Sequence, residues 1–134
     1  MTNILFVCKH NRFRSKIAEA IFNKLNKSKR FRARSAGLIR GSPVNYFQKS
    51  VCINQGIKLR DPVNGISTKL LKWQGILVIV ADDVPPSIFI NNRKYGKKLI
   101  VWKIPDAKSN ERKEIINIIK LIEKKVKLFV EALG

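Results

Sequence analysis

The run Asn3–Val7 is short, apolar and bounded by polar residues, which predicts a buried strand. From about Arg14 the period changes. Ile17, Ala18, Ile21, Phe22 and Leu25 recur at helical spacing and define one apolar face. Phe31–Ser35 predicts a second, shorter strand, ended by Ala36-Gly37. Ser42 followed by Pro43 has the form of a helix start, and Gly56 stands where that helix should stop. Ser67-Thr68 predicts the cap of a short helix running through Trp73. Ile76–Ala81 is apolar at every position, as a central parallel strand must be. Lys98–Ile104 predicts a fourth strand, closed by Pro105. From about Asn110 a long amphipathic helix carries Ile115, Ile118, Ile119, Ile122, Val126, Phe129 and Leu133 on one stripe, with Lys113, Lys120, Lys124 and Lys127 facing out.

Strands alternating with helices predict an α/β fold, a three-layer doubly wound sandwich around a four-stranded parallel sheet. At 134 residues the chain 1–134 is expected to form one domain. Ligands of such sheets bind beyond the carboxyl ends of the strands, so the loop after the first strand is where chemistry is expected.

Composition changes this picture at one point. The chain carries 28 Lys+Arg against 9 Asp+Glu, a formal charge of +19. That balance favours anionic partners: a phosphate-bearing substrate, an acidic protein or nucleic acid. The plain alternative is a solvated basic surface, since the cations are spread along the chain. Their densest group, Lys24, Lys27, Lys29, Arg30, Arg32 and Arg34, has only Phe31 interleaved, a weak platform for stacking bases. No apolar run approaches the roughly 20 residues that span a bilayer, and the first residues lack the form of a secretory signal. Two cysteines, Cys8 and Cys52, make no disulfide framework and point to a reducing compartment, the cytoplasm. With a single histidine they also make no structural zinc site, so neither metal nor cofactor is expected.

The loop after the first strand reads Cys8-Lys9-His10-Asn11-Arg12-Phe13-Arg14-Ser15. A cysteine, five residues and an arginine between a strand and a helix suit a phosphate monoester. Backbone N–H groups across Lys9–Ser15 can turn inward around three phosphate oxygens, and the helix N-terminus adds its positive end. Arg14 can grip two oxygens as a fork. The same field favours a thiolate at Cys8, and Ser15 can donate to that sulfur as it leaves. Spacing alone is weak, because the chain has many arginines. Context strengthens it: the cysteine ends a buried strand and the arginine opens a helix. The competing role for Cys8 is a small buried hydrophobe at a strand end.

Val7-Cys8-x-x-Asn11-x-x-Arg14-Ser15 resembles the signature of the low-molecular-weight protein tyrosine phosphatases and of the thioredoxin-coupled arsenate reductases that share their fold. Ser35-Ala36-Gly37, the Gly56 turn and Ile104-Pro105-Asp106 extend the resemblance over nearly the whole chain. It implies a phosphotyrosine protein phosphatase I-like fold, and a phosphomonoesterase in which Cys8 attacks phosphorus to form a cysteinyl-phosphate. Asp106 then protonates the leaving oxygen and activates the hydrolytic water. Asn11, Ser15 and Ser35 match the polar network that holds the loop in shape. The implied substrate is a phosphorylated protein or small aryl phosphate, and the implied state a monomer or weak dimer. Without the resemblance Asp106 reads as a turn residue, or with Glu111 as acidic dressing of the last helix. Asp61, Asp82 and Asp83 are further acidic candidates. Asp82 and Asp83 lie at the correct sheet end, but a turn role before Pro85-Pro86 is preferred for them.

Four departures qualify the match. His10 stands where the family usually has glycine, which predicts strain or a shifted backbone, and it can line the pocket entrance. Phe13 replaces a second loop cysteine that could protect Cys8 as a disulfide. Ala107 replaces the proline after the acid, which predicts a looser acid loop. Ala107-Lys108-Ser109 also lacks the tyrosines that wall the aryl cleft, leaving Lys9, Arg12 and Lys108 as a cationic rim suited to acidic phosphopeptides or other polyanionic phosphates. The coupled arsenate reductases use two further cysteines after the third strand, where Asp82–Ser87 has none, and Cys52 reads as a core filler. Two alternatives therefore stand beside the phosphatase: a basic nucleic-acid- or phosphopeptide-binding module on an inactive scaffold, and an arsenate reductase relying on an external thiol.

Overall fold

Along Thr2–Cys8 (β1) the pleat sends Ile4 and Phe6 to one face of the sheet and Leu5 and Val7 to the other, and all four are fully buried. A computed structural model describes every residue except Asp61, Tyr95 and Gly96, with Arg93 and Lys94 described by backbone only. The acidic candidate Asp61 therefore lies outside the described residues. β1 pairs in parallel with Phe31–Gly37 (β2) on one side and with Ile76–Val80 (β3) on the other. β3 pairs in turn with Lys98–Trp102 (β4), giving the order β2-β1-β3-β4.

Helices cover both faces. Arg14–Leu25 (α1), Tyr46–Asn54 (α2) and the long C-terminal helix Arg112–Leu133 pack over Ile4 and Phe6. Thr68–Trp73 (α3) and a 3-10 turn, Pro86–Phe89, lie over Leu5 and Val7, and the turn runs on into Ile90–Lys94 (α4). The C-terminal helix (α5) seats Phe129 against Phe6, Phe22 and Trp102, with ring centroids 5.8–6.3 Å apart in tilted and edge-on pairs. That cluster fixes α1 and α5 to the centre of the sheet, and with them the start of α1, where the loop from Cys8 ends. No helix among the described residues is long and apolar enough to cross a membrane.

Element boundaries differ from the sequence expectation in three places, each with a visible cause. The second helix starts after Asn45, not Ser42-Pro43, because residues through Gly41 are tied to the Cys8 loop. Leu38 N–H donates to Cys8 O, Ile39 N–H to Lys9 O and Gly41 N–H to His10 O. Asn45 then caps the helix by accepting the Gln48 N–H at 2.8 Å. β2 runs on through Gly37, which stays in register with Cys8. β4 stops at Trp102 because Ile104 N–H folds back onto Trp102 O at 2.9 Å, and the turn carries the chain to Asp106. The Pro86–Phe89 turn and α4 have no counterpart in the periodicity, since a turn of four residues and a helix of five are too short to show one.

Candidate active site

Cys8 closes β1 and Arg14 opens α1, so residues 9–13 must reverse the chain at the carboxyl end of the sheet. The tight point of that reversal falls on Asn11, at φ 54°, the only non-glycine in the left-handed region among the described residues. His10, which replaces glycine, is not itself in the left-handed region. Asparagine tolerates the left-handed conformation, and its side chain here holds the loop. Asn11 Nδ2 donates to Ser15 Oγ at 2.8 Å, and Asn11 Oδ1 accepts the Asn64 N–H at 2.9 Å. Ser15 Oγ in turn lies 3.0 Å from Cys8 Sγ. All three side chains are buried, so the sulfur sits within a fixed polar chain.

Gly37 sets how closely β2 may approach. A Cβ there would lie 2.5 Å from the His10 carbonyl carbon and 2.6 Å from the Asn11 nitrogen. Only glycine leaves room for the loop to lie against the strand end.

The first turn of α1 has no side-chain cap: the capping position is Phe13, whose ring is buried in the core. The helix N–H groups beside Cys8 are therefore not taken by a capping oxygen, which suits them to an anion. Arg14 is 2% exposed and lies on the floor of the site. Its Nη1 donates to Ile104 O at 2.9 Å and its Nη2 to Asp83 Oδ1 at 3.0 Å. Asp82 Oδ1 is 3.6 Å from Nη1, and Asp106 Oδ1 is 3.8 Å from Nε. A buried guanidinium needs such partners. The contacts also bring the loops after β3 and β4 to the Cys8 loop. Sequence reasoning gave Asp82 and Asp83 turn roles. The signal that they matter was their place at the carboxyl end of β3, on the same side as Cys8.

Asp106 reaches the site half-exposed. Ala107, where the resemblance expects proline, has an N–H that proline lacks, and it donates to Asp106 Oδ1 at 2.9 Å. Farther along, Glu114 on the first turn of α5 accepts the Lys108 N–H and, at 2.7 Å, the Ser109 hydroxyl. Those two bonds, the Ser109 hydroxyl foremost, hold the Glu114 carboxyl below its ordinary pKa.

Cys8, Arg14 and Asp106 share one cleft of about 280 Å³. His10, Arg12, Phe13, Ala107, Lys108 and Ser109 also line it, together with Asn45, Gln48 and Asn110, which sequence reasoning missed. Asn45 and Gln48 enter because the second helix begins late enough to point its first turn at the cleft. Lys9 is half-buried and is not among the lining residues. Arg12 has its Nε buried with no hydrogen-bond partner among the described residues. Ser35, expected to hold the loop, donates instead to Glu19 Oε1, and Glu19 Oε2 accepts from Arg60 at 2.8 Å, a bond set that ties β2 to α1. Cys52 is fully buried in α2, and burial pushes its thiol up to about 12, which keeps it protonated and unreactive.

The family model described as low molecular weight phosphotyrosine protein phosphatase matches residues 3–134. Solved structures with a similar fold include an arsenate reductase from Archaeoglobus fulgidus DSM 4304, at 26% identity and TM-score 0.75 over 96% of this chain and 98% of that one. The YwlE arginine phosphatase from Geobacillus stearothermophilus is similar at 20% identity and TM-score 0.82, over 99% and 93%. A low molecular weight phosphotyrosine phosphatase from Vibrio cholerae O395 is similar at 17% identity and TM-score 0.84, over 99% and 97%. No curated protein sequence matches.

Proposed function

The chain belongs to the low molecular weight phosphotyrosine protein phosphatase family, and from that premise we propose that it is a phosphomonoesterase working through a cysteinyl-phosphate on Cys8. The observation that carries this reading is the shared cleft: Cys8 at its base beside the uncapped start of α1, Arg14 on its floor, and Asp106 delivered from the loop after β4. In the first step the Cys8 sulfur attacks phosphorus, an S–P bond forms, and the bond to the leaving oxygen breaks. Asp106, protonated, gives its proton to that oxygen. In the second step the Asp106 carboxylate takes a proton from water as the water attacks phosphorus. The S–P bond then breaks, and Ser15 Oγ, 3.0 Å from the sulfur, donates to the departing thiolate. The loop N–H groups of Lys9–Ser15 and Arg14 hold the phosphoryl oxygens through both steps.

The substrate class follows from the walls. Arg12 and Lys108 put cations on the rim, and His10, Asn45, Gln48 and Asn110 make the remaining wall polar. Phe13 is the one aromatic lining residue, and its ring is buried. Such a mouth favours a phosphate carried on an acidic protein segment over a bare aryl phosphate. The cytoplasm is the proposed setting, in keeping with two unpaired thiols.

Hydrolysis of a synthetic aryl phosphate by the wild type, Cys8→Ser and Asp106→Asn tests the reading. Cys8→Ser should abolish turnover, and Asp106→Asn should slow it by about 10²-fold, within the range of general-acid effects. Wild-type turnover no greater than that of Cys8→Ser would overturn the assignment. Arsenite release in the presence of glutathione or thioredoxin would then be the next assay.

A further inference from the structure

A second cleft, of about 510 Å³, lies away from Cys8 and is walled by β2, α3 and the segment leading into α3. Four cations line it: Arg32 and Arg34 from β2, Arg60 from the segment after α2, and Lys69 from α3. All four are exposed. No carboxylate lines the cleft among the described residues. Glu19 holds Arg60 at 2.8 Å, but its side chain is buried and its other oxygen accepts the Ser35 hydroxyl. Glu19 can therefore offset one of the four charges and no more.

A strongly basic chain scatters cations over its surface, and scattered cations make no site. Here they converge on one concavity, where like charges repel and the walls focus their field. An anion in the cleft relieves that repulsion. Arg34 is also placed without being used up. It lies over the Trp73 ring, 4.8 Å from the centroid, a contact that engages its charge and not its N–H groups. Arg32, Arg34 and Lys69 have no hydrogen bond or ion pair among the described residues. Asn64 adds an amide to the wall, and its backbone is pinned: its N–H donates to Asn11 Oδ1 and its carbonyl accepts the Gly37 N–H.

We infer that this cleft is a binding site for a small polyanion, a short oligophosphate chain. Guanidinium forks match phosphate oxygens, and Arg32, Arg34 and Lys69 offer free donors to them. Arg32 and Arg34 are two residues apart on one face of β2, roughly 6.6 Å along the strand, so successive groups of one chain can meet them. A nucleic acid finds no ring to stack on: Arg34 covers Trp73, and Arg30 lies over Phe31 at 5.8 Å. A peptide finds no ladder to join, because Ala33 and Ser35 are buried. Binding there needs no chemistry at Cys8, so its failure would leave the phosphatase assay unaffected.

The test is to titrate the isotope-labelled full chain with sodium tripolyphosphate and follow it by NMR. Trp73 borders the cleft and Trp102 is buried in the core, so the two indole N–H signals form an internal comparison. The Trp73 indole and the Asn64 amide should shift saturably, and the Trp102 indole should not. Affinity should fall about tenfold or more in Arg32→Glu/Lys69→Glu, a double reversal at exposed positions that leaves Arg34 on Trp73. That variant should keep wild-type hydrolysis of a small aryl phosphate and a wild-type melting curve. No saturable shift at Trp73 would overturn the inference and leave a solvated basic surface. Shifts at Asn11 and Arg12 alone, unchanged by the double reversal, would confine the anion to the Cys8 cleft. A Glu-rich peptide that matched tripolyphosphate would reduce the cleft to unselective charge. Tighter, Trp73-dependent binding of an oligothymidylate would make the occupant a nucleic acid.

Discussion

Arg14 is a cation with almost no contact with solvent, and its position depends on acceptors far away in sequence. Asp83 supplies the shortest of its carboxylate contacts and is itself partly exposed. Removing that carboxylate in Asp83→Ala should let the guanidinium drift and lower kcat/KM about tenfold, a small displacement being costly at a reacting centre. Asp83→Asn keeps an oxygen at the Oδ1 position and should recover part of the loss. Unchanged kinetics in Asp83→Ala would show that Ile104 O and Asp106 suffice to hold the arginine. Cys8, Asn11 and Ser15 were legible from sequence because they bond to one another within eight residues. The Arg14–Asp83 contact spans 69 residues, and Asp83 beside Pro85-Pro86 has the local look of a turn. Ser35 shows the converse. Its place after β2 matched an expected pattern, yet its hydroxyl is bound to Glu19, a partner that only packing of α1 on β2 could reveal.

At the scale of elements, the segment from Asp106 to Asn110 behaves as part of α5. Glu114 accepts from Lys108 and Ser109, and those bonds favour its ionised form. A carboxyl whose folded pKa lies below its unfolded one stabilises the fold above the unfolded value, near 4.3. It loses that contribution as pH falls through the folded value. Acidification should therefore free this loop only below the ordinary glutamate range, while the Cys8 loop, held by neutral Asn11 and Ser15, stays in place. Glu114→Ala should reproduce the effect at neutral pH: turnover falls about tenfold through misplacement of Asp106, while alkylation of Cys8 by iodoacetate keeps its wild-type rate. A matched fall in both would mean that Glu114 supports the whole site and not the acid loop alone. Strong periodicity made the four strands and α5 readable. The start of α2 and the end of β4 were not, since each is set by hydrogen bonds to another segment: Gly41 to His10 in one case, Ile104 back to Trp102 in the other.

For the whole molecule, a charge of +19 surrounds a site whose acids are all gathered at one end of the sheet. Asp82, Asp83 and Asp106 lie 3.0–3.8 Å from the Arg14 guanidinium and more than offset its charge, so on the proposed function a polyanionic substrate would be drawn by the rim cations Arg12 and Lys108. The parallel order β2-β1-β3-β4 brings three strand ends together there: Cys8 from β1, the aspartate pair after β3 and the acid after β4. The fold thus brings Cys8, Arg14 and Asp106 to one cleft, and the proposed function rests on their acting through a covalent intermediate. The most direct measurement is to mix the protein with an aryl phosphate, quench in acid and locate any added phosphoryl group by mass spectrometry. The expected result is a single phosphoryl group on the peptide bearing Cys8, absent in Cys8→Ser. Turnover without such an adduct, and undiminished in Cys8→Ser, would contradict the account.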